Sequence, residues 1–426
     1  MLDLMVALVV IVCLSGAVVG SNFLKERNLI GREASRKVVH LLMGLICMSF
    51  PWVFSSVLPV QVLGVVVAGG IVLLKRSEAR ESFGSALFSV KRVSVGVLLF
   101  PLAVAWLFTL AFERPILYVI PLLLLTFGDA FGALVGTRYG KRHYQTLSGM
   151  KSIEGSVTFF VISLISTFLP LYLTIDYSWT HLLLVSVAVS LIATLLEGGA
   201  SHGMDNLFIP IATFLILDYY LERTEDELVL RLVILVVLGT LLIGTRRIHT
   251  FDGAGVIGCI LFGFGAYTLG GLACLLSTFI LFFRYLYVSY KFQLNGSILH
   301  TLFVIFYVAV VPLSWLTLGR TGAIAYESAQ QGAILSLASI GLMTSVGTVV
   351  FMELSLKHLL KPVLLYVGIA LPLYLFQGFH FSYLVPFAFS LLSGVVVFFI
   401  RKNTSGSGYW ASIALLALTQ SIILNI

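Results

Sequence analysis

Stretches of apolar residues, each roughly 16–22 long, recur from one end of this chain to the other. A helix of that length crosses about 30 Å of hydrocarbon. Inside a bilayer each backbone N–H and C=O must be satisfied within the protein, which helices achieve segment by segment. The runs fall near 3–20, 38–57, 59–74, 93–111, 116–136, 155–174, 181–197, 206–221, 228–244, 253–270, 271–289, 297–317, 332–351, 360–377, 382–400 and 409–425. They predict an all-α, polytopic membrane bundle of about sixteen transmembrane helices. Two neighbouring pairs are divided only by Pro59 and by Gly270-Gly271. Composition agrees: 59% of the 426 residues are hydrophobic and 11% charged, and a soluble chain of this size needs far more charge to cover its surface. The run Met5–Gly20 reads as a retained first helix, because Asp3 stands where a leader carries basic residues and no A-x-A site follows.

The net charge of +7 is a topology signal rather than a nucleic-acid signal, since the Lys and Arg residues sit in short loops between spans. Alternating the spans puts most of the 26 basic residues on one side, among them Lys25, Arg36, Lys75, Arg92, Arg138 and Lys151. That side reads as the cytoplasm, with both termini outside. The acidic loop Glu222–Glu227 falls on the opposite side and divides the chain into residues 1–221, rich in polar residues at the membrane edge, and 222–426, poorer in chemistry. Cys13, Cys47, Cys259 and Cys274 lie in apolar segments with no disulfide or metal spacing and read as small buried residues.

Four polar clusters interrupt the hydrocarbon, all at the cytoplasmic ends of the expected helices. In Arg32–Gly44, Glu33, Lys37 and His40 share one helical face, with Arg36 beside them. His40 alone reads more readily as a hydrogen-bonded core residue; company on its face makes a site residue equally reasonable. In Gly128–Ser156, Gly128, Gly132, Gly136 and Gly140 also share a face. Such spacing commonly packs helices in membranes, and equally lets a ligand approach the backbone. Packing does not explain Asp129, a carboxylate at the edge of a span and so a functional candidate. The following loop adds Arg138, Lys141, Arg142 and His143, and then Lys151, Ser152 and Glu154 open the next helix. A helix N-terminus flanked by cations is an anion site, although Ser152 can also serve as a simple cap. The third cluster holds Glu197, His202, Asp205, Asn206 and Pro210, and the fourth, weaker one is Lys91–Pro101. Cations to neutralise phosphates, with carboxylates for a divalent metal such as Mg²⁺, fit phosphoryl transfer. No G-x-x-x-x-G-K-[ST], kinase signature, H-E-x-x-H or Cys/His metal cluster is present.

Three motifs in order resemble the CTP-dependent polyprenol kinase family, the group of phytol, farnesol and dolichol kinases. The pattern D-x-x-[AG]-x-x-x-G-x-x-x-G followed by K-[ST]-x-E-G stands as Asp129, Gly132, Gly136, Gly140, Lys151, Ser152, Glu154 and Gly155. E-x-x-R-K-x-x-H-x-x-x-G stands as Glu33, Arg36, Lys37, His40 and Gly44, and E-(x)n-D-N-x-x-x-P as Glu197, Asp205, Asn206 and Pro210. The resemblance covers residues 33–210, about half of the chain, and leans toward the phytol and farnesol kinases. It implies transfer of the γ-phosphate of CTP to the hydroxyl of an isoprenoid alcohol held in the bilayer, with no nucleic-acid polymer involved. It also implies a CTP-phosphate site made by Gly132, Gly136, Gly140, Arg138, Lys141, Arg142, Lys151, Ser152, Gly155, Arg36 and Lys37. Asp129, Asp205 and Asn206 are the expected metal ligands. Asp129, Lys151, Glu154, Glu197 and His40 are the expected catalytic groups, with Glu154 or Glu197 polarising the alcohol.

Residues 222–426 faintly resemble the integral-membrane family of phytyl-phosphate kinases, through Thr250, Gly253-Ala254, Gly270-Gly271 and Asn295-Gly296. That family's acidic segment keeps Glu353 but has Val349 in place of Asp, so a scaffold or dimerisation half is the simpler expectation. Two other functions compete for the whole chain. CDP-lipid synthesis would also use CTP, but its P-G-H-G-G element is missing. A transporter with Gly- and Pro-broken helices would place its ionisable groups near the midplane rather than at one interface.

Overall fold

The computed structural model describes residues 2–77, 95–146, 149–200, 202–249, 251–292, 301–351 and 360–377. They divide into two compact units, Met1–Leu232 and Val233–Ile426.

In the N-terminal unit, α1 (Leu2–Glu26), α2 (Arg32–Met48), the single turn α3 (Phe50–Val53) and α4 (Val57–Arg76) run back and forth. Then come α5 (Gly96–Leu110) and a helix that starts as α6 (Pro115–Leu123) and ends as α7 (Asp129–Tyr139). After a hairpin follow α8 (Ile153–Thr174), α9 (Trp179–Gly199), α10 (Asp205–Leu221) and α11 (Glu225–Gly244), whose last turns pass into the second unit. Polar ties between neighbours are few and specific: Ser21 Oγ donates to Ser35 O at 2.8 Å and Tyr118 Oη to Cys47 O at 2.9 Å. The core between them is aliphatic and aromatic, with Ala103, Leu107, Tyr118, Ile120, Leu122, Leu125 and Leu182 fully buried.

Eight helices among the described residues are long and apolar enough to cross a membrane, which does not support the count of sixteen. The reason is visible in α5. It has 15 residues, about 22 Å of helix, and its apolar side chains Ala103, Leu107 and Phe108 are buried in protein. Hydropathy reads the same whether a residue faces lipid or a neighbouring helix. Helix α10 is likewise short, at 17 residues. The expected spans at 382–400 and 409–425, and residues 91–94 of the fourth cluster, lie outside the described residues. So do Thr250, Asn295-Gly296 and Glu353. Of the four free cysteines, Cys47 and Cys274 are buried as expected, Cys259 is intermediate, and Cys13 is exposed on α1.

Two local departures from regular helix shape the N-terminal unit. The all-α expectation misses a two-stranded antiparallel hairpin, β1 (His143–Thr146) and β2 (Gly149–Ser152), in which Tyr144 faces Lys151 and His143 faces Ser152. Short strands in a polar loop carry no apolar period to betray them. Between α6 and α7, residues Leu124–Gly128 form a π-helical turn, a geometry that frequently marks functional sites.

In the C-terminal unit the long helix α12 (Gly253–Phe292) breaks at Gly271, whose φ of 72° is open to glycine. The break releases carbonyls that would otherwise be satisfied within the helix, and side chains recapture them. Gln330 Nε2 donates to Gly270 O at 2.7 Å, and Arg320 Nε and Tyr326 Oη donate to Leu269 O, both at 3.0 Å. Those donors come from α13 (Thr301–Arg320) and α14 (Tyr326–Phe351). Helix α15 (Leu360–Gln377) adds Ile369 O as the acceptor of Ser277 Oγ at 2.7 Å. This is how a broken helix is tolerated within a membrane-spanning fold.

Candidate active site

The site forms where the C-terminal half of one helix meets the ends of three others. Pro115–Tyr139 is a continuous helical element, and the π turn just before Asp129 adds a residue to one turn of it. Asp129 meets α2 there. Lys37 Nζ lies 2.6 Å from Asp129 Oδ2 and 3.2 Å from its main-chain O. One turn further along α2, His40 Nε2 stands 3.7 Å from the same Oδ2 and 3.2 Å from Leu125 O within the π turn. The i, i+3 spacing of Lys37 and His40 thus puts both on one carboxylate. Their side chains are 13% and 14% exposed, and that of Asp129 18%, so the pair is largely withdrawn from solvent.

The second pair comes from the hairpin. Pairing of β2 with β1 lifts Lys151 toward α9, where its Nζ lies 2.7 Å from Glu197 Oε1 and also donates to Glu197 O. Burial presses the Lys151 ammonium toward neutrality, but the Glu197 carboxylate more than offsets this and holds its pKa above the ordinary lysine value. Tyr144, cross-strand from Lys151, hydrogen-bonds Ser156 Oγ at 2.8 Å, and burial raises its phenol above the usual range. Sequence reasoning missed Tyr144, because only the hairpin register brings it to Lys151.

Asp205 completes the cluster from the start of α10. A turn containing His202 (φ 55°) and Gly203 (φ 86°) reverses the chain after α9, and Asp205 Oδ1 accepts the Asn206 N–H at 3.1 Å. Asp205 is close enough for its charge to act on Lys37, His40, Asp129, Lys151 and Glu197. Asn206 spends its amide on the scaffold: Nδ2 donates to Gly96 O at 2.9 Å, tying α10 to α5.

The glycines and the outer loop do different work. Gly132, Gly136 and Gly155 face one another across the α7–α8 contact. A Cβ on Gly132 would lie 3.2 Å from Gly155 O, and one on Gly136 2.7 Å from Ser152 Oγ. These positions let two helices approach closely. Gly140 sits beside Ser152 at the end of the same ladder. Ser152 caps α8 by accepting the Gly155 N–H at 3.2 Å. Glu154 does not join the cluster. Its carboxylate accepts the Lys141 N–H at 3.1 Å and the Arg142 N–H at 3.3 Å, fixing the loop. Arg138, Lys141, Arg142 and His143 are exposed around it. The Glu33 side chain lies outside the described set.

Beside the cluster opens an apolar cavity of about 440 Å³ between α1, α2, α4 and α5. Arg36, His40 and Asn206 line it at the end nearest the charges. The other side chains around it are hydrocarbon apart from Ser15, the Cys47 thiol and the Met43 thioether.

The cytidylyltransferase family model matches residues 1–199. The phytol kinase of Synechocystis sp. is 32% identical over 206 residues, which is 48% of this chain and 86% of that protein. A probable chloroplastic phytol kinase of Zea mays is 32% identical over 214 residues, 45% of this chain and 68% of the relative. A probable chloroplastic phytol kinase 2 of Glycine max is 32% identical over 211 residues, covering 45% and 67%. No solved structure matches. With nearly the whole of one phytol kinase aligned to it, and with that group's three motifs converging on one buried cluster, the N-terminal half of this chain belongs to the phytol kinase family.

Proposed function

We propose that the N-terminal unit transfers the γ-phosphate of CTP to the hydroxyl of an isoprenoid alcohol at the cytoplasmic face of the membrane. The observation that carries this reading is the junction of two environments: a cluster of two ammonium groups, three carboxylates and a histidine, adjoining an apolar cavity within the bundle. A lipid alcohol needs both, since its tail stays in hydrocarbon while its hydroxyl meets a charged nucleotide. Orientation is supported by the basic residues Lys25, Lys75, Arg76 and Arg138, which occupy the last turns of α1, α4 and α7 at this same end.

In the proposed reaction the alcohol oxygen attacks the γ-phosphorus, the bond from that phosphorus to the bridging oxygen breaks, and CDP leaves. Lys37 and Lys151 swing from their carboxylate partners to phosphate oxygens, with Arg36 and the loop cations Arg138, Lys141 and Arg142 drawing in the nucleotide. His40 lines the cavity and receives the hydroxyl proton. Glu197 keeps Lys151 charged, and Glu154 holds the loop. Asp129 and Asp205 fit a divalent ion such as Mg²⁺. They are oxygen donors, and one or two carboxylates suffice where substrate phosphates and water complete the shell. Among the described residues no three His, Cys, Asp or Glu side chains form a ready-made cage. When bound, the ion neutralises phosphate charge.

The test is phosphate transfer in membranes containing the protein, with γ-labelled CTP, UTP or ATP and a panel of isoprenoid alcohols. Label passing from CTP to the alcohol, and lost in Asp129→Asn and Lys151→Ala, is the expected result. CDP-lipid made from phosphatidate instead would replace the kinase with the cytidylyltransferase reaction.

A further inference from the structure

The fourth polar cluster of the sequence leads into α5, a helix that carries no charged residue of its own. Its start is nonetheless where part of the site is fastened. Val95, at the helix N-terminus, has no capping side chain, and its N–H donates to His202 O at 2.8 Å. One residue on, Gly96 O accepts from Asn206 Nδ2 at 2.9 Å. Only a donor can bond a carbonyl oxygen, so the Asn206 amide turns its NH2 to α5 and not its oxygen. The two bonds grip the turn His202–Asn206 at both ends, with Asp205 between them. The grip is close. Gly96 is buried, and a Cβ placed on it would lie 2.9 Å from Asn206 Nδ2, 3.0 Å from Gly203 Cα and 3.1 Å from Gly203 O. The turn itself passes through positive φ at His202 (55°) and Gly203 (86°), a conformation that its surroundings must hold in place. The Asp205 carboxylate accepts the N–H of its own neighbour, Asn206, at 3.1 Å, so it takes its position from this backbone. From there its charge acts on Asp129, Lys151 and Lys37. One turn further along α5, on the same face as Gly96, the Phe100 ring meets the His40 ring edge-on at 5.7 Å.

Resting on the kinase reading, we infer that the start of α5 positions Asp205 for phosphate transfer, with Gly96 and Asn206 as the two halves of a latch. Both are positioning residues that act through Asp205. Asn206 then serves as a donor to the scaffold, in place of the metal-ligand role expected of it from the motif. Catalysis by placed charge is sensitive to geometry: a misplacement of about 1 Å can cost about 10²-fold in rate. Alanine at position 96 presses on the Asn206 amide and on the backbone of the turn, which must give by a few tenths of an ångström. A shift of that size should cost about tenfold. Glycine at position 96 is what allows the turn to seat fully against α5.

The experiment measures kcat and KM for the full chain in membranes, with γ-labelled CTP and an isoprenoid alcohol that wild type phosphorylates. Gly96→Ala disturbs the latch from the α5 side without adding charge. Asn206→Asp keeps the shape and an oxygen for a cation but removes the N–H that Gly96 O needs. Asn206→Ala removes the donor with no new charge, and decides the matter if Gly96→Ala does not fold. All three should lower kcat about tenfold or more, with KM for CTP and for the alcohol within about twofold of wild type. A second readout needs no turnover: in detergent, added CTP should raise the unfolding midpoint of each variant as it does that of wild type. Wild-type kcat in Gly96→Ala or Asn206→Ala overturns the latch and leaves the kinase standing. Wild-type kcat in Asn206→Asp also overturns it, and returns Asn206 to the metal. A loss that falls on KM, or a CTP-induced rise that vanishes, overturns it too, because the two residues would then build the binding site rather than place Asp205. Absence of transfer by wild type to every alcohol overturns the kinase reading, and this inference with it.

Discussion

The two ends of the N-terminal bundle both carry ion pairs between elements distant in sequence, and they differ in what surrounds them. At the site end, Lys37–Asp129 and Lys151–Glu197 have side chains between 13% and 23% exposed. At the far end Arg114 pairs with Asp218, and these are 48% and 35% exposed. Asp205 and Asp218 are thirteen residues apart on α10, so about 20 Å of hydrophobic helix separates the two settings. A pair in water contributes little, because solvent already satisfies both charges. A pair inside the bundle is costly to create and costlier to break. Among the described residues, the protein thus gathers several desolvated ion-paired charges at the site end, which is the end where the family motifs meet.

That contrast can be broken by mutation, and the largest effect belongs to Lys37→Met. It leaves the Asp129 carboxylate without its ammonium partner and should lower stability by about 3–5 kcal/mol, read by thermal unfolding in detergent. Lys37→Met with Asp129→Leu should recover much of that stability while remaining inactive, separating the structural from the chemical role. Next come Lys151→Ala and Glu197→Gln, each expected to cut phosphate transfer about 10²–10³-fold. The double variant should be little worse than either, since the two act as a unit. The Lys151 pKa is raised in the fold, so its contribution is fully present below the unfolded lysine value and fades as pH rises through the folded one. The stability deficit of Lys151→Met should accordingly stay constant through neutral pH and shrink only in strongly alkaline buffer.

A smaller effect sharpens the same comparison through the glycines. Gly136→Val places its Cβ 2.7 Å from Ser152 Oγ and 3.3 Å from Gly155 Cα, so α7 and α8 must part at a cost of about 1–3 kcal/mol. Gly16→Ala on α1, where a Cβ meets nothing within 4 Å, should instead be neutral or slightly stabilising. The smallest change is expected of Arg114→Gln at the far end: less than about 1 kcal/mol in the same unfolding assay, and unaltered transfer.

The charged residues of the cluster were more legible in the sequence than the number of spans. Charged residues in hydrocarbon are rare and expensive, so Asp129, Lys151, Glu197 and Asp205 stood out singly, and the motif order linked them. Their partnerships were hidden. Glu154 lies in the motif beside Lys151 yet holds loop amides, while Glu197, forty-six residues from Lys151, takes its ammonium. Glycine spacing left packing and ligand approach open, and Gly132 and Gly136 do lie in close contact with α8. The number of spans was the weakest reading, because a buried helix such as α5 is as apolar as one that faces lipid.

The π turn at Leu124–Gly128 has a consequence for lineage. One residue more or less in a helix rotates everything beyond it by roughly 100° about the axis. Deleting a single residue there would restore a regular helix, yet it would swing Asp129 away from Lys37 and His40 and carry the glycine ladder off α8 in the same motion. The segment is thus intolerant of insertions and deletions although its side chains are mostly ordinary and apolar. Drift in this stretch can proceed by substitution but not by change of length.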